Sequence, residues 1–144
     1  MKKVFLIHTD GGARGNPGPA AIGVYITDDV GGEVVKFGKR IGERTNNQAE
    51  YLAVIEALKW IKEKAKEGRP DLNFFLDSLL VVNQLKGLFK IKNAILRDFF
   101  VQVKKMEKEI GGKISFQAIN RNKNKTADFL VNQALDFSLN TSKK

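Results

Sequence analysis

Apolar residues occupy both alternating faces of residues 3–9, whose sequence is Lys-Val-Phe-Leu-Ile-His-Thr. A strand with this pattern has to be covered on both sides, as the central strand of a sheet between helices is. The apolar run is also shorter than the ~7 to 15 residues of a signal peptide core. We therefore predict a central strand that ends at Asp10.

Turn residues divide the next part of the chain. Residues 11–19 are rich in glycine and proline and predict a connection. Residues 20–27 and 33–41 read as two strands that turn at Gly31 and Gly32. The chain thus begins with three strands joined by short connections.

A capping box begins the first long helix. Thr45 and Gln48 have the spacing at which each side chain binds a backbone N–H group of the first turn. The helix runs for about 20 residues and is stopped by residues 68–70. The elements that follow are a strand at 73–76, a short helix at 78–86, a helix at 94–110, a strand at 113–119 and an amphipathic helix through Ala127 and Leu135.

This order of elements predicts an α/β fold with a mixed sheet. Strands joined by short turns are antiparallel, whereas strands separated by a helix are parallel, so strands one and four can be parallel neighbours. At this length we expect one domain over residues 1–138. A flexible tail is expected over residues 139–144.

The composition favours a polyanionic partner. Lys and Arg number 25 against 16 Asp and Glu, a net charge of +9 that attracts nucleic acids. The absence of cysteine removes disulfides and thiolate chemistry and fits the cytoplasm. No apolar run reaches the ~18 residues needed to cross a membrane, so we expect no membrane partner.

Four acidic residues lie on successive elements of the chain. Asp10 and Asp77 follow strands one and four, at the strand ends where such sheets gather ligands. Glu50 lies along an apolar helix stripe, where ionisation is costly without a partner. Asp128 lies near the start of the last helix, where the helix dipole favours an anion. Taken alone, each acid is more often a cap or a solvated residue.

Together these acids predict a cation site, because converging carboxylates repel one another unless a hard divalent cation binds them. Mg²⁺ is the expected ion, with Mn²⁺ as a substitute. Two ions ~3.5 to 4 Å apart can activate a water and stabilise the leaving oxygen in an in-line displacement at phosphorus. We predict Asp10, Glu50, Asp77 and Asp128 as the metal ligands and as the catalytic residues.

Four segments sharpen this prediction: 9–18 (TDGGARGNPG), 45–51 (TNNQAEY), 77–84 (DSLLVVNQ) and 124–128 (NKTAD). They resemble the signature segments of the ribonuclease HI family, and the similarity spans residues 3 to about 137. The resemblance implies a ribonuclease H-like fold with a mixed five-stranded sheet, three antiparallel strands plus two parallel, flanked by helices. It also implies an endoribonuclease that hydrolyses the RNA strand of RNA/DNA hybrids and leaves 5′-phosphate and 3′-hydroxyl ends.

The same resemblance implies contacts with the hybrid, and Thr45 is expected to help hold a DNA phosphate. Thr45 and Gln48 have a second explanation as the capping box, and Asn16 suits a turn. Recognition of RNA has to use the 2′-hydroxyl, which DNA lacks. The predicted substrate contacts are Gly11, Asn16, Thr45, Asn46, Asn47 and Gln48.

One departure from the family concerns the loop before the last helix, where many relatives carry a histidine. Residues 119–125 read Ile-Asn-Arg-Asn-Lys-Asn-Lys. Either Arg121, Asn122 or Lys123 performs the role of that histidine in proton transfer and product release, or no residue of the loop does. The only histidine, His8, precedes Asp10 by two residues, and we interpret it as a packed core residue.

Two rival functions stay open. A non-catalytic module that binds hybrids on the same fold would be expected to have lost an acid, and all four are present here. A ribonuclease domain derived from a reverse transcriptase is the other alternative. No obligate protein partner is indicated, and we expect a monomer.

Overall fold

A computed structural model describes residues 2–142 of the chain and the side chains of residues 2–137. The strands are β1 (Val4–Ala13), β2 (Gly18–Asp28), β3 (Glu33–Arg44), β4 (Asp71–Leu76) and β5 (Ile114–Ala118). The helices are α1 (Asn46–Lys64), α2 (Leu79–Leu85), α3 (Ala94–Ile110) and α4 (Lys125–Ser142), with a short 3₁₀ turn at Arg121–Lys123.

The five strands form one mixed sheet in the order β3-β2-β1-β4-β5. β1 pairs antiparallel with β2, and β2 pairs antiparallel with β3. β4 is parallel to both β1 and β5. This confirms the predicted mixed five-stranded sheet, in which strands one and four are parallel neighbours.

The first strand is longer than predicted. Residues 11–13 belong to β1 rather than to a connection, because they pair with β2 through Gly11↔Ile22 and Ala13↔Ala20. The pairing of β1 with β4 stops earlier, at His8↔Phe75. Asp10 therefore lies within β1 but beyond the last residue of β1 that pairs with β4. At Asp10 the strand pairs with β2 alone.

Helices cover both faces of the sheet. Helices α1, α2 and α3 pack on one face around a large core that includes Ile7, Ile22 and Phe74. Helix α4 packs on the other face, where Val131 and Leu135 contact Ala21. The first strand is thus covered on both sides, as its apolar pattern predicts.

The ends of the helices follow local signals. The capping box of Thr45 and Gln48 is present at the start of α1, and α3 ends at Gly111, whose φ of 86° is left-handed. Helix α1 ends at Lys64, four residues before the predicted stop at Gly68.

Within residues 2–142, none of the helices has both the length and the apolar character that a membrane crossing requires. Part of the predicted tail falls in α4, whose backbone is helical to Ser142. Residues 143 and 144 lie outside the described residues, so the tail over 139–144 stays a prediction.

Candidate active site

The four predicted acids line one open cavity of about 530 Å³. Asp10 lies on β1, and Asp77 lies between β4 and Ser78, which caps α2 by accepting a hydrogen bond from the N–H group of Val81. Glu50 lies near the start of α1, and Asp128 lies in the first turn of α4. Two strands and two helices therefore each bring one carboxylate to the same place.

Three of these acids are close enough to share a cation. Carboxylate oxygens of Asp10, Glu50 and Asp77 lie within 4.8 Å of one another. Asp128 lines the same cavity but is outside this closest group. Glu50 Oε2 is buried and accepts no hydrogen bond from the described residues. An anionic donor set with a buried, unpaired oxygen fits a hard divalent cation.

The absence of a side chain at Gly11 lets β1 and α1 come together at the acids. A Cβ at this position would lie 2.2 Å from the carbonyl oxygen of Ala49. The Gly11 N–H group donates to Glu50 Oε1 at 3.3 Å. Gly11 thus acts in this structure as a backbone contact that sets Glu50 beside Asp10.

Gly11→Ala should lower the free energy of unfolding by about 3 kcal/mol, the upper part of the usual range for overpacking, because the new methyl group collides with rigid backbone. Gly12→Ala is the matched control, since its Cβ would have only Val131 Cγ1 at 3.8 Å as a neighbour. Chemical denaturation of both variants measures the difference. Equal stability of the two variants would contradict the close contact between β1 and α1.

The acids resist ionisation in the absence of a cation. Burial, together with the negative charges of Asp77 and Asp128, raises the pKa of Asp10 to about 7. Burial and the adjacent Asp10 raise the pKa of Glu50 well above its usual range. Burial also raises the pKa of Asp77, and the positive charge of Arg121 opposes that shift. The Arg121 Nε atom lies 3.5 Å from Asp77 Oδ2.

These shifts predict how stability without metal depends on pH. Asp10 has an unfolded pKa near 3.8 and a folded pKa of about 7, so the folded state binds the proton more tightly. Its stabilising contribution is complete below pH 3.8 and is lost as pH rises through about 7. In excess chelator, thermal unfolding from pH 5 to 8 should therefore show a steeper decline in wild type than in Asp10→Asn. Parallel profiles for the two proteins would rule out a raised pKa at Asp10.

Four of the predicted substrate residues lie at the start of α1, whereas Gly11 lies on β1 and Asn16 lies in the turn between β1 and β2. Asn46 donates its backbone N–H to Asn16 Oδ1 at 2.9 Å. Its own Oδ1 accepts from the N–H group of Ala13, also at 2.9 Å. Both side-chain amides keep their N–H donors without a partner among the described residues. With Thr45, Asn47 and Gln48, these two asparagines line a second cavity of about 440 Å³.

Sequence reasoning assigned no role to two asparagines, one that lines the second cavity and one that is buried beside β1. Asn93 lines the second cavity and caps α3 by accepting from the N–H group of Leu96; its position directly before a predicted helix was a usable signal. Asn124 is buried and binds the backbone of Thr9, a contact between distant residues that no local pattern indicates. His8 stacks on Phe75 with ring centroids 4.9 Å apart, so it is packed as predicted, but it is half-buried and lies outside both core clusters.

Comparisons with known proteins agree with this architecture. A family model described as reverse transcriptase-like matches residues 8–134. The chain is 40% identical over 127 residues to ribonuclease HI of Halobacterium salinarum, covering 88% of this chain and 62% of that protein. It is 36% identical over 132 residues to a bifunctional protein of Mycobacterium tuberculosis, covering 91% of this chain and 35% of that one.

A solved structure extends the likeness to three dimensions. LC11-RNase H1, isolated from compost by a metagenomic approach, was crystallised in complex with an RNA/DNA hybrid. It matches with a TM-score of 0.90 and 41% identity over 94% of this chain and 99% of that chain. The fold is therefore of the ribonuclease H type. The chain belongs to the ribonuclease HI family, and it spans between 35% and 62% of the length of the two curated relatives named above.

Proposed function

We propose that this chain is a ribonuclease H that hydrolyses the RNA strand of RNA/DNA hybrids and needs a divalent cation to do so. The observation that carries the proposal is the group of carboxylate oxygens from Asp10, Glu50 and Asp77 within 4.8 Å of one another. A cluster of this kind in an open cavity has the chemistry of a cation site that a phosphate can reach.

Asp10, Glu50, Asp77 and Asp128 are the proposed ligands for two Mg²⁺ ions, with Mn²⁺ as a substitute. The chemistry that such ions supply when bound is activation of a water and stabilisation of the leaving oxygen in an in-line displacement at phosphorus. The water oxygen would bond to phosphorus as the bond between phosphorus and the 3′ oxygen breaks, and the proton lost by the water would balance the proton taken up by the 3′ oxygen. The products then carry 5′-phosphate and 3′-hydroxyl ends.

The surroundings of the acids suit a nucleic acid duplex. The net charge of +9 attracts a polyanion. The start of α1 lines the second cavity with Thr45, Asn46 and Asn47, and the positive end of the helix dipole makes it a suitable place for a DNA phosphate. The complex of LC11-RNase H1 with a hybrid supports the same class of ligand for this chain.

RNA is proposed to be distinguished from DNA by the amide groups next to the acids. The side chains of Asn16 and Asn46 are fixed through their oxygens and both residues are exposed, which leaves their N–H donors available to a ligand. Donors of this kind can bind the 2′-hydroxyl. Asn47, Gln48 and the backbone of Gly11 are the further proposed contacts.

Two alternatives stand beside this proposal, and only the first predicts a different result in a cleavage assay. A non-catalytic hybrid-binding module would bind the same duplex and leave it uncut, but it has no need for the buried carboxylate of Glu50. A domain descended from a reverse transcriptase would cleave like the proposed enzyme and differ only in origin. The single domain over 1–138, the monomeric state and the cytoplasmic location stay predictions from sequence.

The proposed function is tested with one sequence prepared as RNA/DNA hybrid, duplex RNA and duplex DNA, each strand labelled in turn, with Mg²⁺. We expect cleavage of the RNA strand of the hybrid, an intact DNA strand, and fragments that a ligase can rejoin through 5′-phosphate ends. Hybrid that is bound but uncut would favour the non-catalytic module. Cleavage of the DNA strand would contradict the proposal.

A further inference from the structure

Asn124 connects two of the proposed ligands through their backbones. Its side chain is 1% exposed, and its Nδ2 donates to the carbonyl oxygen of Thr9 at 2.9 Å across 115 residues of sequence. Thr9 directly precedes Asp10. The carbonyl oxygen of Asn124 in turn accepts the N–H group of Asp128 at 3.1 Å. One residue is thus bonded both to the peptide beside Asp10 and to Asp128 itself.

The bond to Thr9 falls where the sheet no longer supports β1 from one side. The last pair between β1 and β4 is His8↔Phe75, and a buried carbonyl beyond it needs another donor. The Asn124 amide supplies that donor. Asp10 is therefore held by β2 on one side and, through Thr9, by Asn124 on the other.

Asn124 does not act as an ordinary helix cap. An asparagine before a helix usually accepts hydrogen bonds from the first-turn N–H groups through its side-chain oxygen. Here Oδ1 accepts no hydrogen bond from the described residues, and Nδ2 reaches across to β1 instead. The Asn124 side chain therefore links α4 to β1 and does not cap α4.

We propose that Asn124 is a positioning residue that sets Asp128 against Asp10 in the cation site; this rests on the proposed function. Asp10, Glu50 and Asp77 are brought together by β1, α1 and β4, whereas Asp128 reaches the cavity from a helix on the opposite face of the sheet. The Asn124 link fixes the start of that helix relative to β1. Mutation of a residue that orients a metal ligand without contacting the metal typically weakens metal affinity 10- to 100-fold.

The test compares Asn124→Ala and Asn124→Leu with Val103→Ala. Val103 is buried in α3 and does not line the acid cavity, so it reports a loss of core packing alone. Leu retains the branched shape of the Asn124 side chain, with larger end groups, and lacks its donor. Mn²⁺ binding is measured without hybrid, at a temperature at which thermal unfolding shows each protein to be folded. Cleavage and the KM for hybrid are measured in parallel.

Both Asn124 variants should bind Mn²⁺ about 10- to 100-fold more weakly than wild type, with a KM for hybrid within about threefold at saturating metal. Val103→Ala should bind Mn²⁺ as wild type does. In an Asp128→Asn background, Asn124→Ala should change Mn²⁺ affinity by less than about twofold, because pairing with β2 still holds Asp10 in place and the ligand that Asn124 sets against it is already lost. If Asn124→Ala does not fold, Asn124→Leu carries the same comparison.

Mn²⁺ affinity of the folded Asn124 variants equal to that of Val103→Ala would overturn the positioning role. So would full additivity with Asp128→Asn. A wild-type protein that neither binds Mn²⁺ nor cleaves hybrid would instead overturn the proposed function on which the inference rests, so the two failures are distinguishable.

Discussion

Asp77→Asn should lower the rate of RNA-strand cleavage by at least about 10³-fold, equivalent to about 4 kcal/mol of transition-state stabilisation. The change keeps the shape of the side chain but replaces an anionic oxygen with an amide, which a hard cation binds poorly. The fold should survive, because the carboxylate is held at a raised pKa by burial. Its ion pair with the exposed Arg121 contributes little.

Hybrid affinity should be retained in the same variant, because the proposed contacts with the duplex come from other residues. Loss of one negative charge beside the phosphates favours binding if it has any effect. Asp29→Asn is the control, since Asp29 is exposed on the turn at the other end of β2. Thermal unfolding, hybrid binding and cleavage are measured on one preparation. Near-normal cleavage by folded Asp77→Asn would refute its role as a ligand, and equal loss of binding and cleavage would make it a substrate contact.

Removal of divalent cations should abolish cleavage altogether. Without them, burial and repulsion among the acids hold the pKa of Asp10 at about 7 and raise the pKa of Glu50 well above its usual range, so both carboxylates resist ionisation, and no group of the site supplies an activated water. In excess chelator we expect no turnover, and we expect full recovery when Mg²⁺ is added beyond the chelator. Hybrid binding by charge and amide contacts should persist in chelator.

The control for this experiment is a chelator already saturated with Mg²⁺, which should leave the rate unchanged. Sustained multiple turnover in excess free chelator would show that the acids work by proton transfer alone. That result would require a new assignment for Glu50, whose buried oxygen otherwise has no partner among the described residues.

Much of the site follows from local sequence patterns. The apolar run before Asp10 and the strand before Asp77 place both acids just beyond the last parallel pair of β1 and β4, and the capping box places Glu50 near the start of α1. These signals are local, since each depends on a few adjacent residues and on the period of a strand or helix.

What could not be predicted depends on contacts between distant segments. The glycines after Asp10 indicate a loop by composition, yet they continue β1 by pairing with β2, and at Gly11 the missing side chain lets β1 approach the backbone at Ala49. The Asn124 bond joins residues 115 positions apart. No propensity or spacing rule reaches across that distance, so the position of Asp128 relative to Asp10 becomes visible only in the folded protein.

The most direct test of the cation site is one titration of wild-type protein with Mn²⁺, in which paramagnetic resonance measures the protein-bound ion while cleavage of a labelled RNA strand is followed. Cleavage should be absent at zero occupancy and should rise together with the bound Mn²⁺, and Asp10→Asn should lose both signals. RNA-strand cleavage that reaches its full rate before Mn²⁺ is bound, or full occupancy without cleavage, would contradict the account.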